Sequence, residues 1–560
     1  MKSRRAVLTR IAAAGLVACA AALPFSPGRA RTAPSAAAPV PAVAILCAEK
    51  GYYASLAAHA RRWLAGQGVA ASLHVAPDPG KALAGAKLAI LVGYDSPDAK
   101  ALAAFSAFAR KGGKFVVFYS SSHRLAALMG VRVLGFKRAA YAGQWSKMVF
   151  DTRFPAGCPS AILQTSTVLQ RAEPLPGRGR VMASWADRAG RATGDAAWIA
   201  TTGGYWMTHV LLADGDESLK ARLLAAIAGG VDPKLWNKER ADARIAEEKR
   251  RLEKYASALP PRRGEIHAVW DHSGCGLHPG DWRKTFAVLK RHGVTDLFLN
   301  VCGPGFAHYR SNVLPRSKTF EDEGDQLLRC IAASEGTGIR VHAWIMCFSA
   351  TRAGASRLAL FGKNGWLLKT KDGAVSEYLD PANRDVRNLV LSAIDEICSK
   401  YAVSGVHLDF VRWYEKSVKP PDAAQTLTGF VAAARTHVPR PLWFTAAVLG
   451  KYPSCVASVG QDWDAWLGMN LIDYAVPMDY TEDLAKFEGF VSQHAWLKTR
   501  ARKTIAGIGV TANESRLGAR DAIAQILVAR KYNLAGTAMF DLDATLEKEI
   551  LPYLSMGVWK

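Results

Sequence analysis

The stretch that decides the fold is RDVRNLVLSAIDEICSKYAVSGVHLDFV, Arg384 to Val411. A helical run, RDVRNLVLSAIDEICSKYA, leads through Gly405 into GVHLDFV, a short apolar strand that ends on the carboxylate of Asp409. The same helix-then-strand unit recurs on both sides. Upstream, EIHAVWD, DLFLNVCG and RVHAWIMCF read as strands separated by the helical DWRKTFAVLKRHG and GDQLLRCIAASEGTG. Downstream, LWFTAAVL, LIDYAVPMDY, TIAGIGV and GTAMFDLD read as strands, interleaved with TLTGFVAAARTHV, DWDAWLGMN, LAKFEGFVSQHAWLK and ARDAIAQILVARKYN as helices. Eight strands alternating with seven helices, followed by LEKEILPYLS, predict a (β/α)8 barrel, the TIM-barrel architecture, over residues 265–560.

Ahead of the barrel, residues 41–232 also alternate. VAILCA, ASLHVA, LAILVGY and KFVVFYSS read as strands, with YYASLAAHARRWLAGQG and DAKALAAFSAFARKGG as helices between them. Continuous apolar strands separated by helices predict a doubly wound parallel sheet with both faces covered. GRVMASWA and YWMTHVLL add strand-like pieces that complete the domain. This stretch resembles the flavodoxin-like, glutamine-amidotransferase-like domains that precede some glycosidase barrels. In catalytic relatives a Cys nucleophile follows such a strand between glycines; this chain has Ser120 to Ser122 there, so the expected role is structural or binding. Residues 233–264, KLWNKERADARIAEEKRRLEKYASAL followed by PPRRGE, read as a charged helical linker between the two domains.

The formal charge of +24 is uneven: residues 265–560 carry only +3 of it. A basic front half suits contact with an anionic envelope surface or polymer, and no nucleic-acid motif is present. Residues 1–32 read as an export signal, with the charged MKSRRAVLTR, the apolar IAAAGLVACAAALPF and a small-residue, Pro-rich exit. Ser3-Arg4-Arg5 resembles a twin-arginine signal, and LVAC resembles a lipobox in which Cys19 would be acylated. The expected location is periplasmic or secreted, soluble or lipid-anchored through Cys19. No run is long enough to span a bilayer. Eight further cysteines, an even number, are compatible with disulfides in an oxidising compartment. Cys275, Cys302 and Cys347 follow three consecutive barrel strands, and a disulfide or plain packing is expected there rather than a metal.

The chemistry of such a barrel sits at the carboxyl ends of its strands. Polar residues there are Asp271 after Trp270, Asn300, His342 and Trp344, His407 and Asp409, Asp479 and Tyr480, and Asp541 and Asp543. A single acid at a mouth is as often a loop cap or ion-pair partner as a catalyst. Several acids beside aromatic rings point to a sugar site: ring faces stack on sugars, and paired carboxylates supply the acid and base of glycoside hydrolysis. No P-loop, HExxH, GxSxG or Rossmann glycine motif is present in this half, and no cofactor is expected.

HAVWDHSG, TDLFLNVCGPGFAHY, VHAWIMCF, LDPANRDVRNLVLSAIDEICSKYAVSGVHLDFVRW and DYAVPMDYT together resemble the bacterial glycosyl-hydrolase-like family 10, a group tied to envelope polysaccharides and peptidoglycan. The resemblance covers most of residues 265–545 and implies that Asp409 is the acidic residue of the fourth strand. Two departures stand out: Asp409-Phe410-Val411 replaces the Asp-Asp-Tyr of many relatives, and Asp380-Pro381 replaces an Asn-Pro. The expected function is an exported O-glycoside hydrolase. Asp409 is its acid/base and Asp479 the partner carboxylate, with Asp541 and Asp271 in reserve. Asn300, His342, His407, Arg412 and Tyr480 are expected to orient the sugar, and Trp270, Trp344 and Trp413 to form subsites. The alternative is a glycan-binding or scaffold protein that keeps the aromatics but needs no acid pair.

Overall fold

The computed structural model describes residues 41–141, 143–496 and 500–560. The leader of residues 1–32 and its Cys19 lie outside the described residues.

Residues 41–232 build a nine-stranded sheet. Ala71–Val75, Val43–Cys47, Leu88–Val92, Lys114–Phe118 and Gly204–Met207 lie side by side and parallel. Val43–Cys47 and Leu88–Val92 are buried at every position, as a sheet covered on both faces requires. Helices Tyr52–Gly66 and Glu217–Val231 cover one face, and Ala99–Arg110 and His123–Met129 the other. The sheet then continues antiparallel through Ala192–Thr201, Gly179–Ala186, Trp145–Phe150 and Ala161–Ser166. Burial alternates along Ala161–Ser166 because one face is open to water. Past Lys114–Phe118 the serines hold a turn: Ser120 Oγ donates to the Tyr94 carbonyl at 2.7 Å, and Ser122 caps the next helix.

The charged helix Lys238–Ser257 is a splint rather than a solvated tether. Its apolar stripe is narrow but uses alanine: Ala241 packs in the core of the N-terminal sheet and Ala256 in that of the barrel. Arg244 Nη2 also donates to the Gly66 carbonyl at 2.8 Å.

Eight parallel strands then close a barrel. They are β1 (Ile266–Asp271), β2 (Asp296–Gly303), β3 (Arg340–Met346), β4 (Gly405–Asp409), β5 (Trp443–Leu449), β6 (Tyr474–Met478), β7 (Ile505–Gly509) and β8 (Gly536–Phe540). Each pairs with its neighbours in sequence, and β1 pairs with both β2 and β8. The two-residue period of a strand separates two layers. Val406 and Leu408 of β4 point outward into the shell shared with the helices, whereas Ala268, Trp270, Phe298, Trp344 and Val476 fill the interior. Gly507 of β7 keeps that interior open to Trp270, since a Cβ there would lie 3.0 Å from the indole ring.

Candidate active site

At the carboxyl end of the barrel a cavity of about 420 Å³ is walled by Trp270, Trp344, Tyr480 and Phe540. Asp409, Asp541, Asp543 and Glu514 bring carboxylates to it, and Arg412 and His272 bring nitrogen. Asp409 comes from β4 and Asp541 directly follows β8, and these strands stand opposite each other in the closed barrel.

Asp409 is nearly buried, and each of its oxygens has a donor. Oδ1 accepts from the Phe410 backbone N–H at 2.6 Å, and Oδ2 from the Trp344 indole N–H at 3.2 Å. Arg412 Nη1 stands 3.7 Å from Oδ1 with no other partner. Phe410 adopts φ +48°, a left-handed conformation that costs a bulky residue energy. Its ring carries the Arg412 guanidinium at 4.1 Å. Burial pushes the Asp409 carboxyl up, while Arg412 and the two N–H donors oppose that shift.

Asp541 has a different environment. Its Oδ1 accepts from the backbone N–H groups of His272 at 3.1 Å and Leu542 at 2.7 Å. Burial, reinforced by the negative charges of Asp271 and Asp543, pushes its carboxyl up to about 7. Tyr480 stacks on Phe540 at 5.5 Å and meets Trp270 edge-on. Burial and the nearby Asp409 and Asp541 raise its phenol well above its usual range, so it remains an O–H donor.

Six of the residues expected at this site have other roles. Asp479, expected to face Asp409, has its carboxylate turned away from the cavity onto His494, whose Nε2 lies 3.0 Å from Oδ1. Gly450 makes room for it, as any Cβ there would strike the carboxylate. Tyr480 points inward, so its neighbour Asp479 must point outward. Asp271 follows the same rule beside Trp270: it ties the next loop together, accepting from Ser273 Oγ at 2.6 Å and the Gly276 N–H at 2.7 Å. Trp413 is packed in the outer shell and donates to the Ala423 carbonyl at 3.3 Å, so it is no sugar platform.

His407 and His342 do point inward, but they lie beneath the cavity. His407 Nε2 accepts from the Trp270 indole N–H at 2.9 Å while Nδ1 meets Thr445 Oγ1 at 2.8 Å. Burial holds this imidazole well below its usual range, hence neutral, and it fixes the Trp270 ring. His342 Nε2 pairs with Asp296 Oδ1 at 2.8 Å, and Arg340 holds the same carboxylate. Asn300 is fully buried; its Oδ1 receives Arg352 Nη1 at 3.5 Å.

The loop after β7 supplies Thr511, Asn513 and Glu514 to the mouth, and the turn after β1 supplies His272. Sequence periodicity does not single these residues out. All eight described cysteines are free thiols, and Cys302 and Cys347 pack in the shell as ordinary apolar groups. No helix among the described residues is long and apolar enough to cross a membrane.

With an acidic, aromatic-lined mouth, the barrel belongs by architecture to the class of (β/α)8 domains with a substrate cleft at the strand ends. No family model and no curated protein matches the chain. Among solved structures, the PgaB (BpsB) glycoside hydrolase domain from Bordetella bronchiseptica matches with a TM-score of 0.43 and 12% identity, covering 52% of this chain and 99% of that one. The β-amylase catalytic domain from Paenibacillus polymyxa matches at 0.40 and 10%, covering 52% and 97%. The Group II chitinase catalytic domain 2 from Ostrinia furnacalis matches at 0.37 and 12%, covering 52% and 94%. Likeness at this level concerns the barrel and carries nothing about the reaction.

Proposed function

We propose that this protein is an exported glycoside hydrolase that cleaves O-glycosidic bonds of a bacterial envelope or extracellular polysaccharide. Asp541 is the general acid and Asp409 the carboxylate that acts across the mouth from it. The observation that carries this reading is the contrast between the two carboxyls. Burial raises both carboxyls and each accepts two N–H bonds, but their charged neighbours differ in sign: Asp541 has carboxylates and is pushed up to about 7, whereas Arg412 opposes the rise at Asp409. Two carboxyls with charged neighbours of opposite sign suit the unlike roles of the two acids in glycoside hydrolysis. Trp270 and Trp344 offer ring faces to the sugar, and Tyr480 a hydroxyl between the two acids. Export by the leader of residues 1–32, with or without acylation of Cys19, belongs to this reading and rests on the sequence. So does contact of the basic N-terminal half with an anionic envelope surface.

The test is product analysis against purified envelope and extracellular glycans, including peptidoglycan with and without stem peptides. Release of new reducing ends is expected from at least one of them. A panel on which none appears, at high enzyme and long incubation, rejects the reading.

Asp479 gives a contrasting result. Asp479→Ala breaks a buried acid–imidazole pair and is expected to cost about 3–5 kcal/mol of stability. Turnover per folded molecule should stay within a few-fold of wild type. Chemical denaturation and active-site-normalised rates check the two halves; a stable but inactive variant would return Asp479 to the reaction.

A further inference from the structure

Arg352, in the loop that follows β3, is a cation with no direct ion-pair partner, although it feels the buried Asp271 at longer range. Among the described residues no carboxylate oxygen lies within the 4.0 Å of an ion pair. Its polar contacts are all neutral: the His272 carbonyl and Asn300 Oδ1, each at 3.5 Å from Nη1, and His308 Nε2 at 3.3 Å from Nη2. His308 cannot add charge, because burial and Arg352 itself hold its imidazole down at about 4. The guanidinium is seated 4.4 Å over the Phe306 ring, and the side chain remains open to solvent. Elsewhere around the barrel Arg340 is paired with Asp296, Arg435 with Asp473 and Arg530 with Glu265.

The position of Arg352 gives this charge a use. One residue of the cavity wall, His272, gives its N–H to Asp541 and its carbonyl to Arg352. The guanidinium and the proposed general acid are therefore joined through a single residue and lie no more than about 10 Å apart, the span of two sugar rings at most. The mouth also carries Glu514, Asp541 and Asp543, and β7, whose following loop supplies Glu514, stands opposite β3 in the closed barrel. Asn300, which accepts from Arg352, is fully buried with an amide nitrogen that has no partner among the described residues.

We propose that Arg352 forms a carboxylate subsite, so that the glycan taken by this cavity carries an acidic sugar next to the bond that is cleaved. The proposal rests on the glycan reading of the cavity and narrows it to anionic polymers. A guanidinium presents a fork of donors that matches a carboxylate, and the charge gradient from Arg352 to Glu514 fixes the direction in which such a chain lies. The carboxylate can belong to a uronic acid, at C6 of the ring, or to a lactyl ether on an amino sugar; the arms of the experiment separate these.

The measurement is calorimetric binding rather than turnover, so that it stands even if no hydrolysis is found. The probes are a hexasaccharide alternating glucuronic acid with N-acetylglucosamine, a tetrasaccharide alternating N-acetylmuramic acid with N-acetylglucosamine, and the carboxyl-reduced form of each. Wild-type protein is expected to bind at least one acidic probe about tenfold more tightly than its reduced form. The probe that shows this identifies the carboxylate. In Arg352→Gln the ratio should fall to near one, and in Arg352→Lys it should be partly restored, since the charge remains without the fork. Three results overturn the proposal. One is wild-type binding that does not distinguish acid from reduced probe, or binds neither. Another is a ratio that survives in Arg352→Gln. The third is an Arg352→Gln that weakens acidic and reduced probes equally, which would make Arg352 a strut for the His272 backbone.

Discussion

Asp409→Asn is expected to lower kcat on the true glycan by about a thousandfold while KM changes little. Asparagine keeps the shape of the side chain, but its single amide oxygen can accept from only one of the Phe410 N–H and the Trp344 indole N–H, leaving the other facing an NH2 group. What it removes is the negative charge that Arg412 and those donors hold in a nearly buried place. On the proposed reading that charge stabilises the developing cation or activates water, and among the described residues Asp409 is the cavity carboxylate with an arginine within 4 Å. Asp541 sits among like charges, and Asp543 Oδ1 is engaged by the Leu546 N–H at 2.8 Å. Initial rates over a substrate range measure the effect. Activity within a few-fold of wild type would remove Asp409 from the reaction.

Asp541→Asn is expected to give a comparable loss on natural glycans and to change the pH profile. If Asp541 must donate a proton, kcat/KM of the wild type falls as pH rises through about 7, the value to which burial pushes this carboxyl. The variant loses that basic limb. Substrates with an acidic aryl leaving group need no proton, so they should retain most of their rate in Asp541→Asn. Equal losses on aryl and natural glycosides would reject the acid role. The same shift has a stability consequence. A carboxyl with a usual value near 3.9 unfolded and about 7 folded binds its proton more tightly in the native state. Its stabilising contribution is therefore present at acid pH and lost as pH rises from about 4 through 7. Asp541→Asn does not titrate, so its melting temperature relative to wild type should climb from pH 5 to pH 8. A difference that stays constant across that range would contradict the placement of this proton.

The barrel was legible because a strand-then-helix repeat leaves its mark on every element, and each of the eight strands falls within its quoted stretch. The parallel half of the N-terminal sheet was legible for the same reason, as unbroken apolar runs. Its antiparallel continuation was not, since strands with one wet face alternate and are read as isolated pieces. In the site, Asp409, Asp541, Arg412, Tyr480, Trp270 and Trp344 were readable as polar or aromatic residues on or just past inward positions of strands. Asp479 and Asp271 were misread: alternation beside Tyr480 and Trp270 puts each on the outer face, but the same alternation beside the inward Phe540 would have put Asp541 there too, so only the structure separates them. Glu514 and His272 gave no signal, because a loop residue has no periodicity to place it.

The sequence by itself determined the repeat, the barrel and the height at which its chemistry sits, since strand period and helix period are local properties of the chain. Only the tertiary structure decided which carboxylates meet. Asp409 and Asp541 are separated by 131 intervening residues and face each other because β4 and β8 stand opposite in a closed sheet. Their unlike charged surroundings, an arginine beside one and carboxylates beside the other, come from different strands and loops brought together by that closure.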